Sequence, residues 1–187
     1  MRYFIGYIVT IGLLIVLILF LVGSGGSGKH NTPPATPKFL NSYASTDAEV
    51  QLTADGPITG VLTHHSAQIT VNAFQATFQA FQGYDGTVIN TQSYANTQNA
   101  YYAFLSALSQ AGFTKGAPVK GYSSDTGLCP LGTRYDVRLI QDGQSLEHYW
   151  ITSCGGAASF KGNFPLTLEL FQTQIPDYTQ LTSTLTL

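Results

Sequence analysis

Residues 134–152 read RYDVRLIQDGQSLEHYWIT, two alternating apolar and polar runs joined by Asp142-Gly143. Alternation with a period of two is typical of strands, and an Asp-Gly pair between two such runs predicts a hairpin with a two-residue type I′ turn. A sheet that is apolar on one side must bury that side against other elements. The segment therefore predicts an antiparallel sheet with one covered face.

The two-residue turn also predicts which residues of the hairpin face each other. The predicted apolar side comprises the pairs Tyr135–Trp150, Val137–His148 and Leu139–Leu146, and the polar side comprises Arg138–Glu147 and Asp136–Tyr149. A slip of one residue would mix apolar and polar side chains on both faces. We therefore expect Trp150 on the covered face, with His148 beside it as a core histidine.

The two cysteines of the chain flank this hairpin. The same pairing places Cys154 near residue 131, two residues from Cys129. An even cysteine count suits a disulfide in an oxidising compartment. A bridge between these two cysteines would close a loop of about 25 residues. The alternative, a metal site, lacks two further ligands at a suitable spacing. We predict a disulfide between Cys129 and Cys154.

Upstream of the hairpin, alternation predicts more strands. They cover residues 48–54, 66–72, 76–82 and 87–93. The third run also fits a helix, because Phe74, Phe78 and Phe81 have helical spacing. The turn signals Asp55-Gly56-Pro57 and Tyr84-Asp85-Gly86 separate the runs.

Two helices are predicted. The first covers residues 97–111, where Tyr101, Phe104, Leu105 and Leu108 share one face and Gly112 ends the helix. Residues 164–174 alternate as a strand would, but Asn163 before Pro165 is typical of a helix start, so we predict a helix there. Leu185 and Leu187 could pair at a sheet edge. The fold class is α+β: an antiparallel sheet with one helix on its apolar face and a second, C-terminal helix, preceded by one transmembrane helix.

The N-terminal segment predicts a membrane anchor. Residues 5–22 are apolar, and no charge occurs between Arg2 and Lys29. As a helix they extend about 27 Å, close to the hydrocarbon thickness of a bilayer. A cleaved secretory signal is the alternative, but its apolar core is usually shorter. We predict an anchor at 1–22, a Gly/Ser/Pro linker at 23–38 and a folded domain at 39–187.

Composition and charge restrict the partners. Charged residues make up 10% of the chain, the net charge is −2, and there is no basic run. Nucleic-acid binding, which needs clustered Lys and Arg, is therefore not expected. The cysteine pair favours a domain outside the cell with a cytoplasmic N-terminus. We expect the membrane itself, through the N-terminal helix, and a membrane-proximal protein or glycan as partners.

No catalytic, cofactor or metal signature is present. Adjacent residues on an extended segment point to opposite sides, so His64 and His65 do not form a ligand pair and are expected in a solvated turn. Asp136 and Glu147 are expected to be ionised on the polar hairpin face with Arg138 between them. No residue is therefore assigned a catalytic role, and no cofactor is expected.

Five short segments resemble a known family. They are Asp55-Gly56-Pro57-Ile58, Gly83-Tyr84-Asp85-Gly86, Ala111-Gly112-Phe113-Thr114-Lys115-Gly116, Cys129-Pro130-Leu131-Gly132-Thr133-Arg134-Tyr135 and Gln174-Ile175-Pro176-Asp177-Tyr178. They are similar to uncharacterised single-pass envelope proteins of ultrasmall, host-attached bacteria, over most of the soluble part. That family has no established function, so the resemblance implies a location and a fold but no active site.

These observations favour a non-catalytic binding or structural module of the cell envelope, tethered to the membrane. Tyr84, Tyr94, Tyr122, Tyr149 and Tyr178 would form an adhesive surface if several were exposed. The alternative is a small membrane-proximal hydrolase or a peptidase inhibitor. An enzyme would require His148, or the His64–His65 pair, beside a carboxylate in a pocket.

Overall fold

Six antiparallel strands form one sheet in the order β4-β3-β2-β1-β5-β6. This computed structural model describes residues 39–187, so the predicted anchor at 1–22 and linker at 23–38 lie outside the described residues. The strands are β1 (Glu49–Asp55), β2 (His65–Val71), β3 (Gln75–Gln82), β4 (Thr87–Ala95), β5 (Arg134–Gln141) and β6 (Gln144–Thr152). Each strand predicted from the sequence is present, and residues 76–82 are strand and not helix.

In the described part of the chain, residues 39–187, four helical segments accompany the sheet. They are a 3-10 helix (Leu40–Ser45), α1 (Gln98–Ala111), α2 (Phe164–Gln172) and α3 (Tyr178–Thr182). Within residues 39–187, no helix has both the length and the apolar character needed to cross a bilayer. The described residues belong to one compact unit, Pro37–Leu187.

The core lies on one side of the sheet, which we call the inner face. Val50, Leu52 and Ala54 alternate with more exposed residues along β1, and all three are buried. The side chains of Val50 and Leu52 form one cluster with those of the 3-10 helix, of α1 and of α2. The opposite side, the outer face, carries no helix of this cluster.

Helix α1 confirms the predicted amphipathic pattern. Thr97 Oγ1 accepts a hydrogen bond from Ala100 N at 3.2 Å and satisfies one of the free donors at the helix start. Gly112 ends the helix in the left-handed region, with φ at 78°. Phe113 N then donates to Leu108 O at 3.0 Å, and the fully buried Phe113 ring joins the core.

The C-terminal segment is helical, as predicted for residues 164–174. Asn163 Oδ1 accepts from Leu166 N at 3.2 Å, and Pro165 occupies the first turn, where its missing N–H costs nothing. Phe171 is buried edge-to-face against Phe104, with 5.3 Å between the ring centres. The predicted pairing of Leu185 and Leu187 at a sheet edge was wrong, because both residues follow α3 outside any strand.

A β-bulge changes the predicted register of the β5–β6 hairpin. Gln141 faces Gln144 and Ile140 faces Ser145, as the two-residue turn requires. Leu139 then faces Glu147, so Leu146 is left without an opposite residue. Beyond the bulge the observed pairs are Arg138–His148, Val137–Tyr149, Asp136–Trp150 and Tyr135–Ile151. An extra residue in one strand shifts every later pair by one.

This shift moves Trp150 and His148 from the predicted inner face to the outer face. Trp150 is still buried, with 3% of its surface exposed, but it is absent from the core cluster. A shallow cavity beside it is lined by residues 117–119, 122 and 123. We call residues 116–128 the covering loop. The predicted Arg138–Glu147 pair is also wrong, because the Glu147 carboxylate accepts from the Tyr149 hydroxyl instead.

The predicted disulfide is present. Cys129 and Cys154 are bonded, with Cα atoms 5.6 Å apart. Gly132 packs so closely against this bond that a Cβ there would lie 2.6 Å from Cys129 Sγ. The bridge joins the end of the covering loop to the chain that leaves β6.

Replacing Cys129 or Cys154 with Ser should destabilise the domain strongly. The bridge closes a loop with a sequence separation of 25 residues. In the chain-entropy model such a loop contributes about 3 kcal/mol, which corresponds to a fall in Tm of about 6–12 °C for a domain of this size. Thermal unfolding by circular dichroism, with and without reductant, measures the effect. An unchanged Tm in both variants would contradict it.

Candidate functional site: a polar cleft on the outer face

The outer face is polar because every second residue of each strand must point away from the core. On β1 to β4 the outer residues include Glu49, Gln51, Thr53, Asp55, Ser66, Gln68, Thr70, Gln75, Thr77, Gln79, Thr91 and Ser93, with Phe81 near one end. Neighbouring strands are linked by side-chain bonds, such as Gln68 Nε2 donating to Thr53 Oγ1 at 3.1 Å. Glu49 and Asp55 are the charged outer residues of β1, and the other charged side chains of this face lie on β5 and β6.

A cleft of about 380 Å³ opens where the uncharged and charged parts of the outer face meet. Its lining comprises Thr53 and Asp55 of β1, Ser66 of β2, Arg134 and Asp136 of β5, Ile58, Tyr84, and residues 125–127 of the covering loop. The sequence predicted none of this assembly. It joins positions as distant as Asp55 and Arg134, which the antiparallel register of β1 and β5 places opposite each other.

Arg134 is the buried cation of the cleft, with 7% of its surface exposed. Its Nη2 donates to Asp55 Oδ2 and, at 3.0 Å, to Gly56 O. Its Nε lies 3.9 Å from Asp125 Oδ2 in the covering loop. One guanidinium group therefore connects the end of β1, the following turn and the covering loop.

His64 lies behind the cleft, and the prediction of a solvated turn was wrong. Only 2% of its surface is exposed. Nδ1 is 3.0 Å from Pro57 O, and Nε2 is 2.9 Å from Asp55 Oδ1. Both contacts are to oxygen atoms, so each ring nitrogen of His64 has a polar partner. The next residue, His65, is the first residue of β2 and is only partly buried.

Tyr84 forms the rim of the cleft. Its ring stacks on His64, with 4.1 Å between ring centres and 12° between planes. Its hydroxyl donates to Thr59 O at 2.7 Å and accepts from Thr59 N at 3.1 Å. These contacts fix the ring while leaving 54% of the residue exposed. Because His64 covers one side of the ring, the exposed side is available to a ligand.

Asp125 is the carboxyl group of the cleft whose pKa is raised. Burial, together with the negative charges of Asp136 and Asp55, raises its pKa above the ordinary value of 3.8. The Arg134 charge acts in the opposite direction without cancelling these effects. Asp125 is therefore the group of the cleft that most favours accepting a proton or a hydrogen-bond donor.

His148 and Asp136 form a second His–Asp pair beside the cleft. Nε2 of His148 lies 2.6 Å from Asp136 Oδ1, and Arg138 Nη2 lies 3.9 Å from Asp136 Oδ2. The position of Asp136 near Arg138 on the polar face agrees with the prediction. The prediction of a core histidine was wrong, because the His148 side chain is 43% exposed.

The described residues lack the contacts of a nucleophilic catalyst. In residues 39–187 neither His64 nor His148 is hydrogen-bonded to a serine, threonine or cysteine. The same residues contain no group of three or more His, Cys, Asp or Glu that could hold a metal ion. Of the five tyrosines expected to form an adhesive surface, only Tyr84 and Tyr122 are exposed. The cleft can thus offer hydrogen bonds and an aromatic ring, and Tyr84 is the tyrosine that borders it.

The comparisons with known proteins supply no family. The chain matches no protein-family model, and the search of curated proteins finds no relative.

Replacing Asp125 with Asn should raise the Tm at pH 7 by about 1–3 °C. The folded protein binds the Asp125 proton more tightly than the unfolded chain does, so folded stability falls as pH rises above 3.8. Because Asn cannot ionise, the variant does not lose this stability as pH rises. The Tm difference between variant and parent should therefore vanish below about pH 4, where Asp125 is protonated in both the folded and the unfolded chain. Tm measured from pH 3 to 8 tests the effect.

Asp85→Asn is the matched control with the opposite sign. The Thr87 hydroxyl and backbone hold the Asp85 pKa below its ordinary value. This variant should melt lower than the parent at pH 7, and the difference should shrink on acidification. If both variants shift Tm in the same direction at every pH, the role assigned to Asp125 is wrong.

Proposed function

We propose that this chain is a non-catalytic binding module of the cell envelope and that the outer-face cleft holds a ring of a neutral glycan. The observation that carries the proposal is the fixed, half-exposed ring of Tyr84 beside a cleft lined by hydroxyl, carboxylate and guanidinium groups. A pyranose ring presents C–H groups on its faces and hydroxyls around its edge. It can therefore stack on Tyr84 while its hydroxyls bond to the lining.

Preorganisation supports this use of Tyr84. Its ring position is set by His64 and by two bonds to Thr59, so a ligand would not have to immobilise it. Side chains already held in place cost a ligand less conformational entropy, which favours affinity.

The charges of the cleft support an uncharged ligand. Asp55 is paired with both Arg134 and His64, and Asp136 is paired with His148 and lies near Arg138. Because each of these carboxylates already faces a cationic group or a histidine, the cleft has no large unbalanced charge to offer a cation or an anion. Asp125 is the remaining carboxyl group of the cleft. Its raised pKa makes it a suitable acceptor for a hydrogen bond from a ligand hydroxyl.

The full-length chain should bind neutral oligosaccharides, and Tyr84→Ala should weaken that binding. Cellotetraose, maltotetraose and chitotetraose are suitable probes, measured by isothermal titration calorimetry in a detergent buffer. An aromatic contact contributes about 0.5–1.5 kcal/mol beyond burial, so we expect a loss in affinity of up to about tenfold.

Tyr102→Ala is the matched control, because Tyr102 is 52% exposed on α1, away from the cleft. It should leave the affinity unchanged. If no probe binds, or if both substitutions weaken binding equally, the glycan proposal fails. Binding of a charged probe, such as a lysine tetramer, in preference to the sugars would also contradict it.

The same cleft supports a second candidate function, hydrolysis of the glycan that it holds. Glycosidases use one protonated and one ionised carboxyl group, and Asp125 with its raised pKa lies close enough to the ion-paired Asp136 to be affected by its charge. Release of reducing ends from the three probes, lost in Asp125→Asn, would select hydrolysis. Probes recovered intact after binding would select the binding module.

We further propose that residues 5–22 anchor the chain and that residues 39–187 lie outside the cell, as the envelope-protein resemblance also implies. The support is the uncharged apolar length of that segment and the Gly/Ser/Pro linker after it. The Cys129–Cys154 disulfide adds support, because such bonds persist in oxidising compartments.

Membrane fractionation with protease treatment tests this location. Detergent, and neither salt nor carbonate, should release the chain from membranes, and protease added to intact cells should cut within residues 23–38. A soluble product beginning after Val22 would contradict the anchor. Protection of the domain in intact cells would contradict the orientation.

A further inference from the structure

Strand β4 is an open edge of the sheet. It pairs with β3 on one side only, and most of its nine residues are exposed. Its sequence, TVINTQSYA, contains no charged residue, no proline and no glycine. Edge strands are normally protected by such residues, because an unpaired edge is a template for another strand.

The direction of the backbone N–H and C=O groups shows which residues of β4 could pair with a further strand. Asn96 N donates to Phe74 O at 2.8 Å, so this pair is hydrogen-bonded. Bonded and non-bonded pairs alternate in an antiparallel ladder, so Thr91, Ser93 and Ala95 direct N–H and C=O away from β3. Among residues 39–187, no loop, turn or helix makes a backbone hydrogen bond to these three residues. Ile89 is skipped in the pairing with β3, so the regular open ladder begins after it.

The other edge of the sheet, β6, is closed over part of its length. Trp150 O accepts from Ser159 N and Phe160 N at 3.0 and 3.1 Å, and Trp150 N donates to Ser159 Oγ at 2.8 Å. Glu147 adds an acidic side chain to the rest of that edge. A head-to-tail chain of copies would need both edges, so the partly closed β6 favours a closed pair through β4.

We propose that β4 pairs with β4 of a second copy of this chain, antiparallel and centred on Ser93. Ser93 then faces Ser93 of the second copy, and Thr91 faces its Ala95. Because β4 is uncharged, the two-fold arrangement brings no like charges together. The product is one continuous twelve-stranded sheet whose polar outer face extends across both copies. This inference is independent of the proposed glycan cleft.

Thiol cross-linking of the full-length chain tests the pairing. Both native cysteines are in the disulfide, so an added cysteine is the one free thiol in the chain. Facing Cα atoms of a bonded pair lie about 5.5 Å apart, within disulfide range. Ser93→Cys should therefore form disulfide-linked dimers on mild oxidation, at least about tenfold more than the matched variant Thr77→Cys.

Thr77 faces Ser93 from β3, on the same side of the sheet. Two copies of residue 77 would be separated by three strand spacings, about 14 Å, which a disulfide cannot bridge. In sedimentation experiments the parent should be dimeric, and Thr91→Pro, which removes one outward N–H, should raise the dimer Kd at least tenfold. A monomeric parent, equal cross-linking of the two cysteine variants, or an unchanged Kd in a folded Thr91→Pro variant would each overturn the proposal.

Discussion

Burial of alternate residues along β1 is the constraint on which the rest of the structure depends. This strand is central and pairs with both β2 and β5, so its register sets the faces of both neighbours. Leu52 points into the core, and Thr53 and Asp55 therefore point to the outer face. Because the helices of the core cluster cover only the inner face, the outer face has to be polar. The cleft lies on the side of the sheet opposite the core.

The bulge at Leu146 determines which side chains of β6 reach that outer face. Without the extra residue, Asp136 would face Tyr149 and His148 would point into the core, as the turn alone predicts. With it, Asp136 faces Trp150, and His148 comes within 2.6 Å of the Asp136 carboxylate. Trp150 then needs cover on the outer side, and the covering loop lies beside it. That same loop carries Asp125 into the cleft, so one local irregularity contributes to both the fold and the site.

Local patterns predicted much of the fold. The strands, the helix that ends at Gly112 and the Cys129–Cys154 bridge depend on periodicity, end signals and short-range pairing, which the sequence carries directly. The bulge was missed because the Asp142-Gly143 turn specifies pairing only near itself. The cleft was missed because it joins β1, β5 and a loop that has no periodicity. The signal available in the sequence for the cleft was an acidic residue, Asp55, at the end of one strand and Arg134 at the start of another.

Stability alone does not explain the polar centre of the cleft. Moving a guanidinium and a carboxylate out of water is costly, and apolar side chains of similar volume are often as stable as a buried ion pair or more so. Arg134 is nonetheless buried, and its partner Asp55 also holds the buried His64. His64 in turn supports the ring of Tyr84, whose other side faces solvent. This polar network ends in a fixed and exposed aromatic ring, and that combination supports the proposal that the ring is presented to a ligand.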